Sequence, residues 1–144
     1  MKLNEFPNTN KEPFIVTSAP IPDYNCIAWA YGRSDVRMWP NTNYFYWPEN
    51  ITNNSNLSSF IELFNSIGYN LCEDDKLEIG FEKISIFELN GKVTHASRQL
   101  KNGMWTSKLG WQPNISYDVS HSISSISDGV YGNVTTYMKR KYLK

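Results

Sequence analysis

Asn90-Gly91 stands between two stretches in which apolar and polar side chains alternate, Lys83 to Leu89 and Val93 to Leu100. A dipeptide that tolerates positive φ at both positions, flanked by period-two runs, is the strongest short-range signal for a tight β-hairpin. Side chains of a strand alternate between its two faces, so the turn also predicts partners. A two-residue turn pairs Leu89 with Lys92 and Ile86 with His95. His95 then shares a face with Ile84 and Ile86, the apolar face that has to pack on helices. Asn102-Gly103 marks a second turn and Met104 to Leu109 a third strand, which makes an antiparallel meander. Two registers are open there. A two-residue turn brings Thr106, Lys108 and Gly110 to the His95 face, whereas a three-residue loop, Lys101-Asn102-Gly103, brings Trp105, Ser107 and Leu109. Only the second sets a neutral hydrogen-bonding group, Ser107, near His95, and that register is preferred. Ser97 and Gln99, on the same face of His95's own strand, are alternatives.

Upstream the period changes. Tyr24 to Tyr31 reads as a helix capped by Asp23 or Asn25, favoured by Ala28 and Ala30 and stopped at Gly32. Leu57 to Ile67 reads as a second helix, capped by Asn56 or Ser58, with Phe60, Leu63, Phe64 and Ile67 on one face and Gly68 at its end. Met1 to Pro22 is expected to be extended, because Pro7, Pro13, Pro20 and Pro22 oppose a helix, with Phe14-Ile15-Val16 as a short edge strand. Trp39-Pro40 through Tyr46-Trp47-Pro48 reads as an aromatic loop packed over something, followed by a polar surface loop, Glu49 to Asn56. A short helix is expected over Ser120 to Ile126, and a last helix or strand over Val134 to Tyr142. At 144 residues, with 40% hydrophobic and 15% aromatic content, the chain is long and apolar enough to bury one core. The expectation is a single α+β domain spanning 1–144, with the first helix packed on a small antiparallel meander and the second helix between them.

Several functions are disfavoured. Formal net charge is zero, and the basic end formed by Lys139, Arg140, Lys141 and Lys144 reads as a solvated helix C-terminus that complements the helix dipole, so nucleic-acid binding is not expected. No run approaches a membrane span, and Met1 to Phe14 lacks the apolar core of a secretory signal; a cytoplasmic protein with reduced thiols is expected, unless it leaves the cell by a signal-independent route. The two cysteines, Cys26 and Cys72, have no metal-binding spacing, and no cofactor or metal is expected. His121 follows Asp118 by three, a helical spacing, and reads as a surface or capping residue.

Chemistry concentrates on Cys26. In the first turn of a helix a thiolate meets unpaired N–H groups and the positive end of the dipole. His95 is the candidate base and acid, Ser107 the group that orients its ring, and Asn25 with the Cys26 N–H the candidate oxyanion donors. Trp29, Trp39, Tyr46, Trp47, Gln99, Trp105 and Lys108 are the candidate walls of a substrate cleft. Cys72, among Glu73, Asp74 and Asp75, is a poor nucleophile, since neighbouring negative charge raises a thiol pKa.

The order of a cysteine at a helix start, a histidine on a strand and a polar residue on the next strand, from Asp23 to Gly110, resembles the papain-like superfamily, including its NlpC/P60-type members. The resemblance implies amide or thioester chemistry. The usual Asp-Cys-Ser start is replaced here by Tyr24-Asn25-Cys26-Ile27-Ala28-Trp29, and no His, Asn or Asp stands at the third position. Over nearly the whole chain, Asn25-Cys26-Ile27-Ala28-Trp29-Ala30, His95-Ala96-Ser97-Arg98-Gln99-Leu100, Trp105-Thr106-Ser107-Lys108-Leu109-Gly110 and Tyr137-Met138-Lys139-Arg140 resemble a family of uncharacterised bacterial domains. That resemblance implies a bacterial or phage protein. Two functions fit. The favoured one is a cysteine hydrolase or acyl transferase acting on a protein or peptide through Cys26 and His95. The other is a non-catalytic interaction module on a papain-like scaffold, immunity- or defence-associated, with the aromatic loop as its protein-binding surface. The sequence leaves the oligomeric state open.

Overall fold

The computed structural model describes residues 6–10, 15–16, 24–112 and 115–142. In chain order these form a 3-10 helix (Pro7–Asn10), β1 (Ile15–Val16), α1 (Cys26–Tyr31), α2 (Leu57–Asn65), β2 (Asn70–Cys72), β3 (Phe81–Leu89), β4 (Lys92–Gln99), β5 (Trp105–Gln112), β6 (Ile115–His121), α3 (Ile123–Ile126) and β7 (Asn133–Lys141). The strands make one seven-stranded sheet in the order β1-β6-β5-β4-β3-β7-β2, with every neighbouring pair antiparallel. The expected meander is its centre, extended by β6 and β1 on one side and by β7 and β2 on the other. The C-terminal strand β7 lies between β3 and β2, so the last element closes the sheet instead of ending in a helix. Most of the expected extended segment over Met1 to Pro22 lies outside the described residues. Within it, the 3-10 turn begins at Pro7, where the missing N–H costs nothing because a first-turn donor has no partner anyway.

Both helices of the N-terminal half cover one face, called here the α1 face. Asn25 caps α1 by accepting from the Ala28 N–H, and Gly32, at φ +96°, ends it. Asn56 caps α2 in the same way, and Phe60, Leu63 and Phe64 point into the core. They meet Ile84, Ile86, Val93, Ala96 and Met138 of the sheet, with Ile27, Ala28 and Ala30 of α1. The opposite face is covered by the 3-10 helix, α3 and the 127–132 segment. Its smaller apolar cluster is Phe6, Phe87, Leu109, Val119 and Ile126, with Ile123, Tyr131 and Val134 packed against it. This is called the α3 face. The sheet is therefore buried on both sides, as the run of buried residues from Glu82 to Phe87 records.

The hairpin turn forms as expected, with Asn90 at φ +54° and Gly91 at φ +79°, and Leu89 pairs with Lys92. The register beyond it differs. Glu88 pairs with Val93, and Phe87 then pairs with His95, leaving Thr94 as the extra residue of a β-bulge. Ile86 faces Ala96, not His95. A bulge sets two residues of one strand against one of the other, so every side chain beyond it changes face relative to an unbroken ladder. His95, Ser97 and Gln99 lie on the α3 face, and Ala96 and Arg98 on the α1 face. The second turn is the three-residue form: Leu100 N–H donates to the Met104 carbonyl (2.7 Å) and Gly103 takes φ +89°. It pairs Gln99 with Trp105 and Arg98 with Thr106, which carries Trp105, Ser107 and Leu109 to the His95 side.

Candidate functional site

The bulge separates the two residues on which a cysteine-hydrolase mechanism depends. Cys26 is the first residue of α1 and packs against the α1-face core. His95 is fully buried on the other face, edge-on to Phe87 (5.3 Å between ring centroids) and stacked on Tyr131 (4.2 Å, 3° between planes). The sheet lies between them. The residue Cys26 is half-exposed as a whole, but its sulfur points to the sheet beside Ala96. Burial pushes the thiol up to about 11, and the hydrogen bonds of Ala96, Ile27 and Cys26 backbone groups offset this only in part. The expected thiolate-stabilising helix start is thus outweighed by desolvation. Asn25 is held in place by other bonds: its side-chain oxygen accepts from the Ala28 and Met38 N–H groups, and its amide donates to the Met38 carbonyl (2.8 Å). It ties α1 to the start of the aromatic loop.

The expected cleft residues fall in three places. On the α1 face, Trp29 lies under the Arg98 guanidinium (4.9 Å to the ring centroid) and Lys108 sits over the Tyr24 ring (4.1 Å). In the loop, Trp39 and Trp47 both pack on Phe60 (5.5 and 5.2 Å), while Tyr46 is exposed beneath Arg33. On the α3 face, Gln99 donates to the carbonyls of Asp75 and Gly103, and buried Trp105 lies near Tyr137. Pockets of about 320 and 410 Å³ open around Cys72, Lys83, Lys139 and Arg140, and neither lining includes Cys26 or His95. Burial is the main influence that raises the Cys72 thiol, ahead of the charges around it.

What the fold does bring together is a cluster of serines and histidines on the α3 face. Ser107 Oγ lies 3.0 Å from His95 Nε2, 2.6 Å from Ser97 Oγ and 2.7 Å from His121 Nε2. His121 Nδ1 is 2.7 Å from the Ser122 carbonyl. All four side chains are fully buried. The proton positions follow from the one group that can only accept. The Ser122 carbonyl requires a proton on His121 Nδ1, so Nε2 is an acceptor and the Ser107 hydroxyl donates to it. The Ser107 oxygen then accepts from His95 Nε2–H and from the Ser97 hydroxyl. His95 Nδ1 is left as a bare acceptor, with no hydrogen-bond partner among the described residues. Burial lowers the His121 pKa to about 4 and holds that of His95 well below its ordinary value, helped by the nearness of His121. Both rings are neutral at pH 7.

The sequence reads His121 as a surface or capping residue at a helical spacing from Asp118. It lies instead at the end of a strand and opposes Trp105. Residues three apart on a strand point to opposite faces, so the helical spacing to Asp118 has no meaning there. The signal that could have found it was the apolar and aromatic alternation Ile115, Tyr117, Val119, His121. Chemically the cluster has the order hydroxyl, imidazole, orienting acceptor that activates a nucleophile. Yet the Ser107 oxygen is enclosed and surrounded by three partners, and in this conformation it is closed to a substrate.

Among the described residues no helix is long and apolar enough to cross a membrane, and no group of three or more metal-ligating side chains occurs. No curated protein and no solved structure matches the chain. A family model does match, over residues 15–139, and its span takes in α1, the aromatic loop and nearly all of the sheet. The chain belongs to the family described as a domain of unknown function, DUF7689.

Proposed function

We propose that this chain is a protein-binding module, with the loop between α1 and α2 as its contact surface. The observation that carries this reading is the way the loop presents aromatic rings. Trp39 and Trp47 anchor it on Phe60, and Met38 and Tyr46 join its two ends in a β-bridge. Between the anchors, Tyr44 is 90% exposed, and Phe45 and Tyr46 are also exposed, with Arg33 over the Tyr46 ring. Tyrosine, phenylalanine and arginine on a pre-organised loop are the composition of an interface hot spot, because little side-chain freedom is lost on binding. The papain-like hydrolase reading asks for a sulfur and an imidazole on one side of a sheet. The raised Cys26 thiol and the position of His95 under Tyr131 count against that pairing.

The test is chemical cross-linking of the tagged chain in a lysate of its source, followed by hydrogen exchange on the purified complex. A captured protein that protects residues 33–47, and that is lost with Tyr44→Ser and Tyr46→Ser in a chain of unchanged stability, supports the module. A covalent adduct on Cys26 with an electrophilic peptide, abolished by His95→Gln, would overturn it in favour of the hydrolase.

A further inference from the structure

The Ser107-centred cluster has a property that neither a binding loop nor a hydrolase needs. With both rings neutral, its hydrogen bonds close with the Ser107 hydroxyl donating to His121 Nε2. A proton added to His121 Nε2 would turn the acceptor of the Ser107 hydroxyl into a donor. The Ser107 hydroxyl would then have to turn to Ser97 Oγ, displacing the Ser97 hydrogen from the one partner it has in the cluster. A proton added to His95 Nδ1 would place a cation in a site walled by Phe87 and Tyr131, with no carboxylate bonded to it among the described residues. Among the described residues, the charged and titratable groups on the surrounding elements give no relief. On β3, Lys83 is bound to Asp74 and lies near Glu78; on β7, Lys139 is bound to Glu78, and Tyr137 is a phenol. β4 and β5 add none on this face. α3 and the 3-10 helix contain no titratable side chain, and the 127–132 segment offers Asp128, which is exposed and bonded to Asn133, and Tyr131 itself.

The layer over the cluster is also the less firmly held of the two. It consists of a four-residue 3-10 helix, a four-residue α3 and the 127–132 segment. Asn8 fastens the first to α3 through the carbonyls of Ser124 and Ser127 (3.0 and 3.2 Å), and Thr94 Oγ1 fastens the segment through the Tyr131 carbonyl (2.5 Å). These bonds join the pieces of the layer to each other and to the bulge. Among the described residues, the α1-face core has fifteen buried apolar side chains and the α3-face cluster five. Local opening draws on the part of a structure with the fewest buried contacts.

We propose that the histidine pair bridged by Ser107 is an acid-released latch: protonation of either ring lifts the 3-10 helix, α3 and the 127–132 segment from the sheet while the α1 face stays folded. Release uncovers Phe87, Leu109 and Val119, an apolar surface that is available in acid and hidden at neutral pH. The ligand of the latch is the proton, and the bistable element is the covering layer.

Hydrogen exchange of the full chain at pH 7.5 and pH 5, corrected for the intrinsic rates, tests this. The expected result is at least a tenfold loss of protection at pH 5 over residues 6–10 and 119–132, with 57–65 and 81–86 unchanged. His95→Gln with His121→Gln keeps hydrogen-bonding groups that do not titrate, and should abolish the pH dependence. Should that variant not fold, ¹⁵N spectra of the histidine rings in the native chain decide the matter: both rings must protonate at the same midpoint at which the signals of α3 change. Equal loss of protection on both faces, no loss at all, or ring protonation without change in α3 would each overturn the proposal.

Discussion

The two faces of the sheet solve burial in opposite ways. The α1 face excludes water with aliphatic and aromatic side chains that need no partners, under two helices each capped by an asparagine. The α3 face buries two histidines and two serines whose partners must all be present at once. An apolar face tolerates adjustment and loses stability by volume; a closed polar network tolerates none and loses stability by the protonation or removal of a single member. A sheet with both kinds of face answers temperature and pH through different halves of itself.

Three perturbations sharpen that contrast. Phe60→Ala removes the ring on which Trp39, Trp47 and the α1-face core meet, and should cost about 3–5 kcal/mol by denaturant unfolding, at any pH between 5 and 8. Equal losses from an α3-face apolar residue such as Val119→Ala would weaken the distinction.

Acidification acts on the other face. The folded state lowers the His121 pKa to about 4, below the 6.5 of an exposed ring, so the unfolded chain binds the extra proton first. The contribution of His121 is therefore complete above about pH 6.5 and is lost as pH falls towards 4, with a slope of roughly 1.4 kcal/mol per pH unit. His95, shifted in the same direction, adds to the slope. Urea midpoints between pH 7.5 and 4.5 measure this, and a flat profile would contradict it.

Ser107→Ala is smaller still. It leaves His121 Nε2 without a donor and His95 Nε2–H without an acceptor, a loss of about 1–3 kcal/mol at pH 7. The same substitution should shift the His121 titration, whereas Ser85→Ala, at a buried hydroxyl with no partner among the described residues, should cost less than Ser107→Ala.

Much of the α1 face could be read from the sequence because it rests on local signals. Asn25, Asn56, Gly32 and the i, i+3, i+4 spacing of Phe60, Leu63 and Phe64 act within one turn of chain. The three-residue loop at Lys101-Asn102-Gly103 was legible for the same reason. The position of His95 was not. It depends on one extra residue, Thr94, and nothing in Lys92-Val93-Thr94-His95 marks a bulge; β7 bulges alongside it, between Ile86 and Phe87. A one-residue shift turns a side chain through the sheet, so correct elements led to an incorrect face. β2 and β6 were missed because β2 has three residues and β6 ends in Ser120-His121, just before Ser122, and these serines suggest a helix cap; Ser122 does cap α3. The Ser107 cluster became visible only once β6 was beside β5.

Cys26 and His95 sit on opposite sides of the sheet and should therefore be uncoupled. The rate of Cys26 alkylation against pH, in a Cys72→Ser chain with His95 and with His95→Gln, tests it most directly. The expected result is slow reaction at neutral pH, a thiol pKa well above the ~8.5 of a free cysteine, and no change when His95 is replaced. A thiol pKa below that value, rising when His95 is replaced, would contradict it and put the sulfur and the imidazole in one site.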